Sequence, residues 1–134
     1  MKLQDKRILM FEDNLENIQV QQALLEEEGA YVDLFFGEMI SGLKQKLPLD
    51  LIIMDLMIAG GVDGFDYRKM LSQEPALADI PVVAVSAMDA SLAVSKAKSL
   101  GFAGFIAKPI DMDRFANQIA LIIDGKAVWD TNRR

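Results

Sequence analysis

Four apolar runs of this sequence end in residues that can do chemistry. Glu12 and Asp13 follow ILMF, Asp55 follows LIIM, Ser86 follows VVAV, and Lys108 follows FIA. Three carboxylates at one place would repel each other, and a hard divalent cation such as Mg²⁺ relieves that repulsion. The lysine balances further negative charge and the serine offers a hydroxyl. The set predicts a site for a phosphoryl group with a carboxylate nucleophile, because the chain contains no Cys or His and Ser86 has no evident base.

Composition narrows the class of protein. The 134 residues suit one domain with a sizeable core. The lack of Cys and His excludes a disulfide scaffold, a thiolate or histidine metal site and a Ser-His-Asp triad. Twenty acids against fourteen bases argue against nucleic acid as a partner. We find no signal peptide, and the most apolar stretch, 51–62, is too short to cross a bilayer. We therefore expect a cytoplasmic protein without a membrane partner, with one domain over 1–124 and a short tail over 125–134.

Short apolar runs alternate with amphipathic stretches along the chain. The pattern predicts five strands and five helices, with either Asp13 or Asn14 as the N-cap of the first helix. Strands that are apolar on both faces are typical of a parallel sheet covered by helices. We predict an α/β, doubly wound, flavodoxin-like fold with strand order 2-1-3-4-5, and a site at the carboxyl ends of strands 1 and 3. The predicted strands are 7–12, 31–36, 50–54, 81–85 and 102–107. The predicted helices are 15–28, 38–46, 65–73, 90–100 and a last one that begins at 111 or 112 and ends at 123.

These pieces together resemble the receiver domain of two-component response regulators. The matching segments are ILMFEDN at 8–14, DLIIMDLMI at 50–58, DG at 63–64, PVVAVSA at 81–87 and FIAKPI at 105–110. The resemblance covers about 6–123. It implies that Asp55 accepts a phosphoryl group, that Asp13 binds Mg²⁺ (or Mn²⁺) directly, and that Glu12 reaches the metal through water. The backbone carbonyl of Met57 is then the third protein ligand.

The resemblance also assigns roles around the phosphoryl group. It implies that Ser86 bonds a phosphoryl oxygen, that Lys108 pairs with the group, and that the bond from Lys108 to Pro109 is cis. Phe105 matches an aromatic switch residue that turns inward when Ser86 is recruited. The face formed by the fourth predicted helix, the fifth strand and the fifth helix then changes shape and binds a partner protein.

Positions beside the site set an expectation for the lifetime of the phosphoryl group. Met57 and Met88 lie two residues after Asp55 and Ser86, at positions that influence access of water in this family. Bulky apolar residues at both predict slow self-dephosphorylation. The loop after Asp55 departs from the family pattern, with Ala59 where Pro is common and an added residue near Gly60-Gly61.

The implied function is a stand-alone receiver, a signalling switch and not an enzyme beyond its own phosphorylation and slow dephosphorylation. Its partners would be a sensor histidine kinase or histidine phosphotransfer protein, and a downstream protein. The alternatives are a pseudo-receiver that binds without phosphorylation and a phosphohydrolase, which usually has a second acid where Met57 stands. A flavin-binding protein would need a Ser/Thr/Gly-rich loop after strand 1. Taken singly, Asp13 could cap a helix, and Asp55 could be a solvent-facing acid at a strand end.

Overall fold

The structure is a computed structural model that describes residues 1–35, 40–58 and 63–131. It contains one parallel sheet with the order β2-β1-β3-β4-β5-β6. Helices cover both faces, which confirms the doubly wound α/β class. The strands are β1 (Arg7–Phe11), β2 (Tyr31–Phe35), β3 (Leu51–Met54), β4 (Val82–Ser86), β5 (Gly104–Ala107) and β6 (Val128–Asp130). The helices are α1 (Leu15–Glu27), α2 (Gly64–Ser72), α3 (Ala90–Ser99) and α4 (Phe115–Ile123), with a 3-10 helix over Ile40–Lys46.

The number of strands corrects the prediction of five. The segment predicted as a short tail contributes β6, which extends the order 2-1-3-4-5 by one strand next to β5. Gly125, with φ of +88°, follows α4 where the chain turns towards β6. Three residues are too few for a periodicity to be recognised in the sequence. Trp129 lies far from most of the predicted site residues in the sequence, yet it pairs in register with Phe105 of β5.

Alternate residues of each central strand supply two separate layers of core. In β1, Leu9 and Phe11 pack on the side of α2, α3 and the 3-10 helix. Ile8 and Met10 pack on the opposite side, against α1 and α4. Because successive side chains of a strand point to opposite faces, strands that are apolar throughout can serve both layers. This double burial holds the central strands in place from above and below.

Several predicted boundaries shift by a few residues. The predicted helix over 38–46 is described only from Ile40, as a 3-10 helix, while Phe36, Gly37 and Glu38 lie outside the described residues. Most of the loop over 59–64, including Ala59 and Gly60-Gly61, also lies outside them. The last helix begins at Phe115, because residues 112–114 form a turn in which the Asp113 amide donates to the Asp111 carboxylate at 3.0 Å.

Backbone hydrogen bonds align the strand ends that carry the predicted site. The amide of Asp55 donates to the carbonyl of Phe11 at 2.9 Å, which sets the end of β3 beside the end of β1. The amide of Lys108 donates to the carbonyl of Ser86 at 2.9 Å, which does the same for β5 and β4. The residues that follow these strands therefore emerge at one edge of the sheet.

In the described part of the chain, no helix is long and apolar enough to span a membrane.

Candidate functional site

The three predicted acids meet at the carboxyl edge of the sheet. Carboxylate oxygens of Glu12, Asp13 and Asp55 lie within 4.8 Å of one another. Glu12 and Asp55 are buried, with 5% and 6% of their surface exposed, whereas Asp13 is exposed. Two acids enclosed by protein and one facing solvent form a site that a ligand can approach from outside.

Lys108 joins the two buried acids. Its Nζ lies 2.8 Å from Oε2 of Glu12 and 3.0 Å from Oδ2 of Asp55. Its own side chain is only 12% exposed. Charge-assisted hydrogen bonds in such a setting are strong, and removal of one partner would leave a buried charge without compensation. Lys108 thus contacts two residues that lie 96 and 53 positions before it in the sequence, and these contacts set the geometry of the site.

Burial and neighbouring charged groups shift the pKa values of Glu12 and Lys108. Burial raises the pKa of Glu12, the neighbouring Asp55 raises it further, and Lys108 opposes both effects without cancelling them. For Lys108, burial lowers the pKa, but its hydrogen bonds to Glu12 and Asp55 outweigh burial and raise the pKa overall. Lys108 therefore stays protonated at neutral pH.

The N-cap of α1 is Asn14 and not its neighbour Asp13. Asn14 is the N-cap of α1, and its side chain accepts a hydrogen bond from the amide of Asn17 at 3.0 Å. Glu12 accepts from the amide of Asn14 at 3.1 Å, which ties the cap to the site. Asp13 is thus placed at the acidic cluster and is not the residue that caps α1.

A close backbone approach positions Asp55. Oδ1 of Asp55 accepts from the amide of Met57 at 3.0 Å, and the amide of Gly64 donates to the carbonyl of Leu56 at 3.1 Å. A Cβ built on Gly64 would lie 2.5 Å from the Asp55 carbonyl oxygen and 2.8 Å from the Cα of Leu56. Only glycine leaves room for α2 to begin here. The DG pair at 63–64 marks this position in the sequence but does not show why glycine is required. Asp63 supplies the N-cap of α2.

The remaining predicted residues lie around the acids. Ser86 is fully buried, and its Oγ accepts from the amide of Met88 at 3.2 Å. Phe105 is fully buried in the core layer next to α2 and α3. The peptide bond from Lys108 to Pro109 is cis. Met57 is 57% exposed beside the site, and Met88 is partly buried.

The donor set fits a small hard dication. The carboxylates of Glu12, Asp13 and Asp55 against the ammonium of Lys108 leave two negative charges in excess. All the side-chain ligands are oxygens, which Mg²⁺ and Mn²⁺ accept, and the set leaves coordination positions for water or phosphate. Asp13 and Asp55 would hold the ion, with Glu12 nearby. When bound, it would neutralise the negative charge of the acids.

Comparison with known proteins relates most of the chain to one family. The family model for the response regulator receiver domain matches residues 8–120. The polar-differentiation response regulator DivK of Brucella ovis is 30% identical over 115 residues, which cover 85% of this chain and 93% of DivK. The histidine-protein kinase BarA of Escherichia coli K12 is 28% identical over 122 residues, 90% of this chain but 13% of the kinase. The receiver domain of a DNA-binding response regulator from Colwellia psychrerythraea 34H superposes with a TM-score of 0.76 at 26% identity, covering 90% and 99% of the two chains.

The close approach at Gly64 makes a strong prediction. Gly64→Ala should lower the free energy of unfolding by about 2–3 kcal/mol, because the new methyl overlaps the backbone of Asp55 and Leu56. Gly42→Ala is the matched control, since a Cβ there meets nothing within 4 Å and should change stability by under about 1 kcal/mol. Urea unfolding followed by circular dichroism measures both. Equal stabilities of the two variants would contradict the packing argument.

Mg²⁺ binding should stabilise the fold. At a free Mg²⁺ concentration ten times the dissociation constant, the free energy of unfolding should rise by about 1.4 kcal/mol. Asp13→Asn should remove most of this increase because it takes away a carboxylate of the cluster. Asp79→Asn, at an exposed acid just before β4, should retain it. Urea unfolding with and without Mg²⁺ tests this, and an equal increase in all three proteins would argue against binding at this cluster.

Proposed function

This chain belongs to the response regulator receiver domain family, and we propose that it works as a phosphorylation-controlled switch with Asp55 as phosphoacceptor. The supporting observation is the position of Asp55, a buried carboxylate at the centre of an acidic cluster with Lys108 at 3.0 Å. A carboxylate so placed can act as a nucleophile without a separate base. The proposal includes Mg²⁺ as cofactor and the cytoplasm as the place of action.

The donor in this proposal is a phosphohistidine outside these 134 residues, which contain no His. An oxygen of Asp55 forms a bond to phosphorus while the P–N bond breaks, and the electron pair of that bond leaves with the imidazole. Lys108, already within hydrogen-bond distance of Asp55, would pair with the negative oxygens of the transferred group. Ser86 would donate its hydroxyl to one of them after leaving the Met88 amide.

Exposed apolar side chains around the site suit a protein donor. Leu15, Met57 and Met112 are 66%, 57% and 62% exposed, and each lies on a segment that carries site residues. An open cavity of about 220 Å³ continues this surface and is lined by Val20, Pro109 and other residues. Exposed apolar groups around a polar centre are typical of a protein-binding surface. We propose that a histidine kinase or phosphotransfer protein docks here, and that the protein acts as a switch and not as a turnover enzyme.

Chemical phosphorylation tests the role of Asp55 directly. Incubation with Mg²⁺ and acetyl phosphate should add the mass of one phosphoryl group to the intact protein. Asp55→Asn should abolish the increase, whereas Asp79→Asn should keep it. An unmodified wild-type mass would favour the pseudo-receiver alternative, in which the domain only binds, and an increase that survives Asp55→Asn would reject Asp55 as the acceptor.

The two methionines beside the site should lengthen the life of the phosphoryl group. Met57→Asn combined with Met88→Gln should shorten its half-life about tenfold, because polar side chains can orient a water that the thioethers exclude. The loss of mass after removal of the donor gives the rate. Met70→Gln, at an exposed methionine of α2, is the control and should leave the half-life unchanged. An unaltered half-life in the double variant would show that the thioethers do not limit access of water.

A further inference from the structure

Strand β6 occupies the edge that β5 would otherwise present. Val128, Trp129 and Asp130 pair in parallel with Gly104, Phe105 and Ile106. Trp129 packs against the core layer that contains Phe105, and Nζ of Lys98 lies 5.0 Å from the centroid of its ring. β6 therefore lies against β5 and also contacts α3 and α4, and we call the surface that these three elements present to it the groove.

Gly104 shows that β5 is shaped to receive a neighbouring backbone. A Cβ at this position would lie 2.6 Å from the carbonyl oxygen of Val128 and 3.0 Å from Cδ1 of Ile122. The φ angle of Gly104 is not among the positive values, so backbone conformation does not require glycine here. The residue is needed for the close approach of whatever strand lies on this edge.

Gln118 of α4 supplies a second, independent feature of the groove. It is 4% exposed, and its Nε2 donates to Oδ2 of Asp130 at 2.8 Å. Its Oε1 is buried and has no hydrogen-bond partner among the described residues. A buried acceptor without a donor costs free energy. A side chain that both accepts and donates at the position of Asp130 would satisfy both ends of the Gln118 amide, which the carboxylate of β6 cannot do.

The attachment of β6 is limited. The strand has three residues, pairs with one neighbour, and every residue in it is partly exposed. An open cavity of about 370 Å³ lies beside it, lined by Trp129, Phe102, Ile122 and others. Short, half-exposed elements at a sheet edge open at much lower free energy than the core. We therefore expect β6 to leave β5 at a lower free energy than is needed to separate the other strands.

We infer that the β5 edge is a strand-accepting docking site that β6 closes within the chain. The partner that it fits is a protein segment in extended conformation, with an aromatic residue at the Trp129 position and Asn at the Asp130 position. Such a segment adds to β5 by main-chain hydrogen bonds and replaces β6. The inference rests on the proposed function only for the existence of a protein partner.

Peptides and a tryptophan-free chain test this inference. Trp129 is the only Trp, so the full-length variant Trp129→Ala/Asp130→Ala has none and should have a weakened β6. The probes are end-capped peptides KAVWDT and KAVWNT, whose indole emission should shift to shorter wavelength on binding. KAVWNT should bind about tenfold more tightly than KAVWDT, because it satisfies the Gln118 acceptor. Peptide KAVADT, labelled with a dye, is the control for the aromatic residue.

Gly104→Ala added to that variant should weaken binding of both peptides by at least about tenfold, since the methyl blocks the incoming backbone. Equal binding with and without this substitution, equal binding of KAVADT, or no binding of KAVWNT would overturn the inference. Hydrogen exchange must show residues 128–130 unprotected in the variant while β1 and β3 stay protected. Continued protection of 128–130 would also contradict a weak attachment.

A single substitution in the otherwise native chain gives a second readout. Asp130→Asn should slow amide exchange in 128–130 by about tenfold, because the new amide supplies the donor that Gln118 Oε1 lacks. Unchanged or faster exchange would overturn the assignment of Gln118. None of these measurements involves phosphorylation, so their failure would leave the role of Asp55 untouched, and failure of the phosphorylation test would leave these results standing.

Discussion

The site depends on one ammonium group held between two buried carboxylates. Lys108 can reach Glu12 and Asp55 only if β1, β3 and β5 end at the same height, and the two backbone bonds from Asp55 to Phe11 and from Lys108 to Ser86 keep them there. The two core layers hold these strands from both faces. Because a buried charge without a partner is costly, the fold and the site constrain each other. The remaining excess of negative charge is what makes the cluster suited to a cation and a phosphoryl group.

Much of this arrangement could be predicted from the sequence because the parallel fold converts sequence position into spatial position. Each apolar run predicts a strand buried on both faces, and the residue after it must lie at the carboxyl edge of the sheet. Glu12, Asp55 and Lys108 were therefore identifiable without knowledge of their contacts. The choice between Asp13 and Asn14 as helix cap was not, because both residue types cap helices equally well. The hydrogen bond that the Asn17 amide donates to the Asn14 side chain identifies Asn14 as the cap.

The features that escaped prediction are contacts between distant segments. Nothing local in VWD indicates a strand, because its pairing depends on β5 and on the turn at Gly125. The reasons for Gly64 and Gly104 are also nonlocal, since each makes room for a backbone that approaches from elsewhere. Phe105 is fully buried beside Trp129, so any inward movement of this residue on activation would have to start from a different arrangement.

The three-residue length of β6 has a consequence for solubility. An uncovered β5 would present a row of unpaired amides and carbonyls to other molecules, and such edges promote aggregation. β6 covers that row, yet it is itself short, and it ends in the charged Asp130. The new edge is thus a poor template for continued strand addition. A protein that exposed β5 for long would pair with its own copies more readily, so its tendency to aggregate should depend on how tightly this small strand is held.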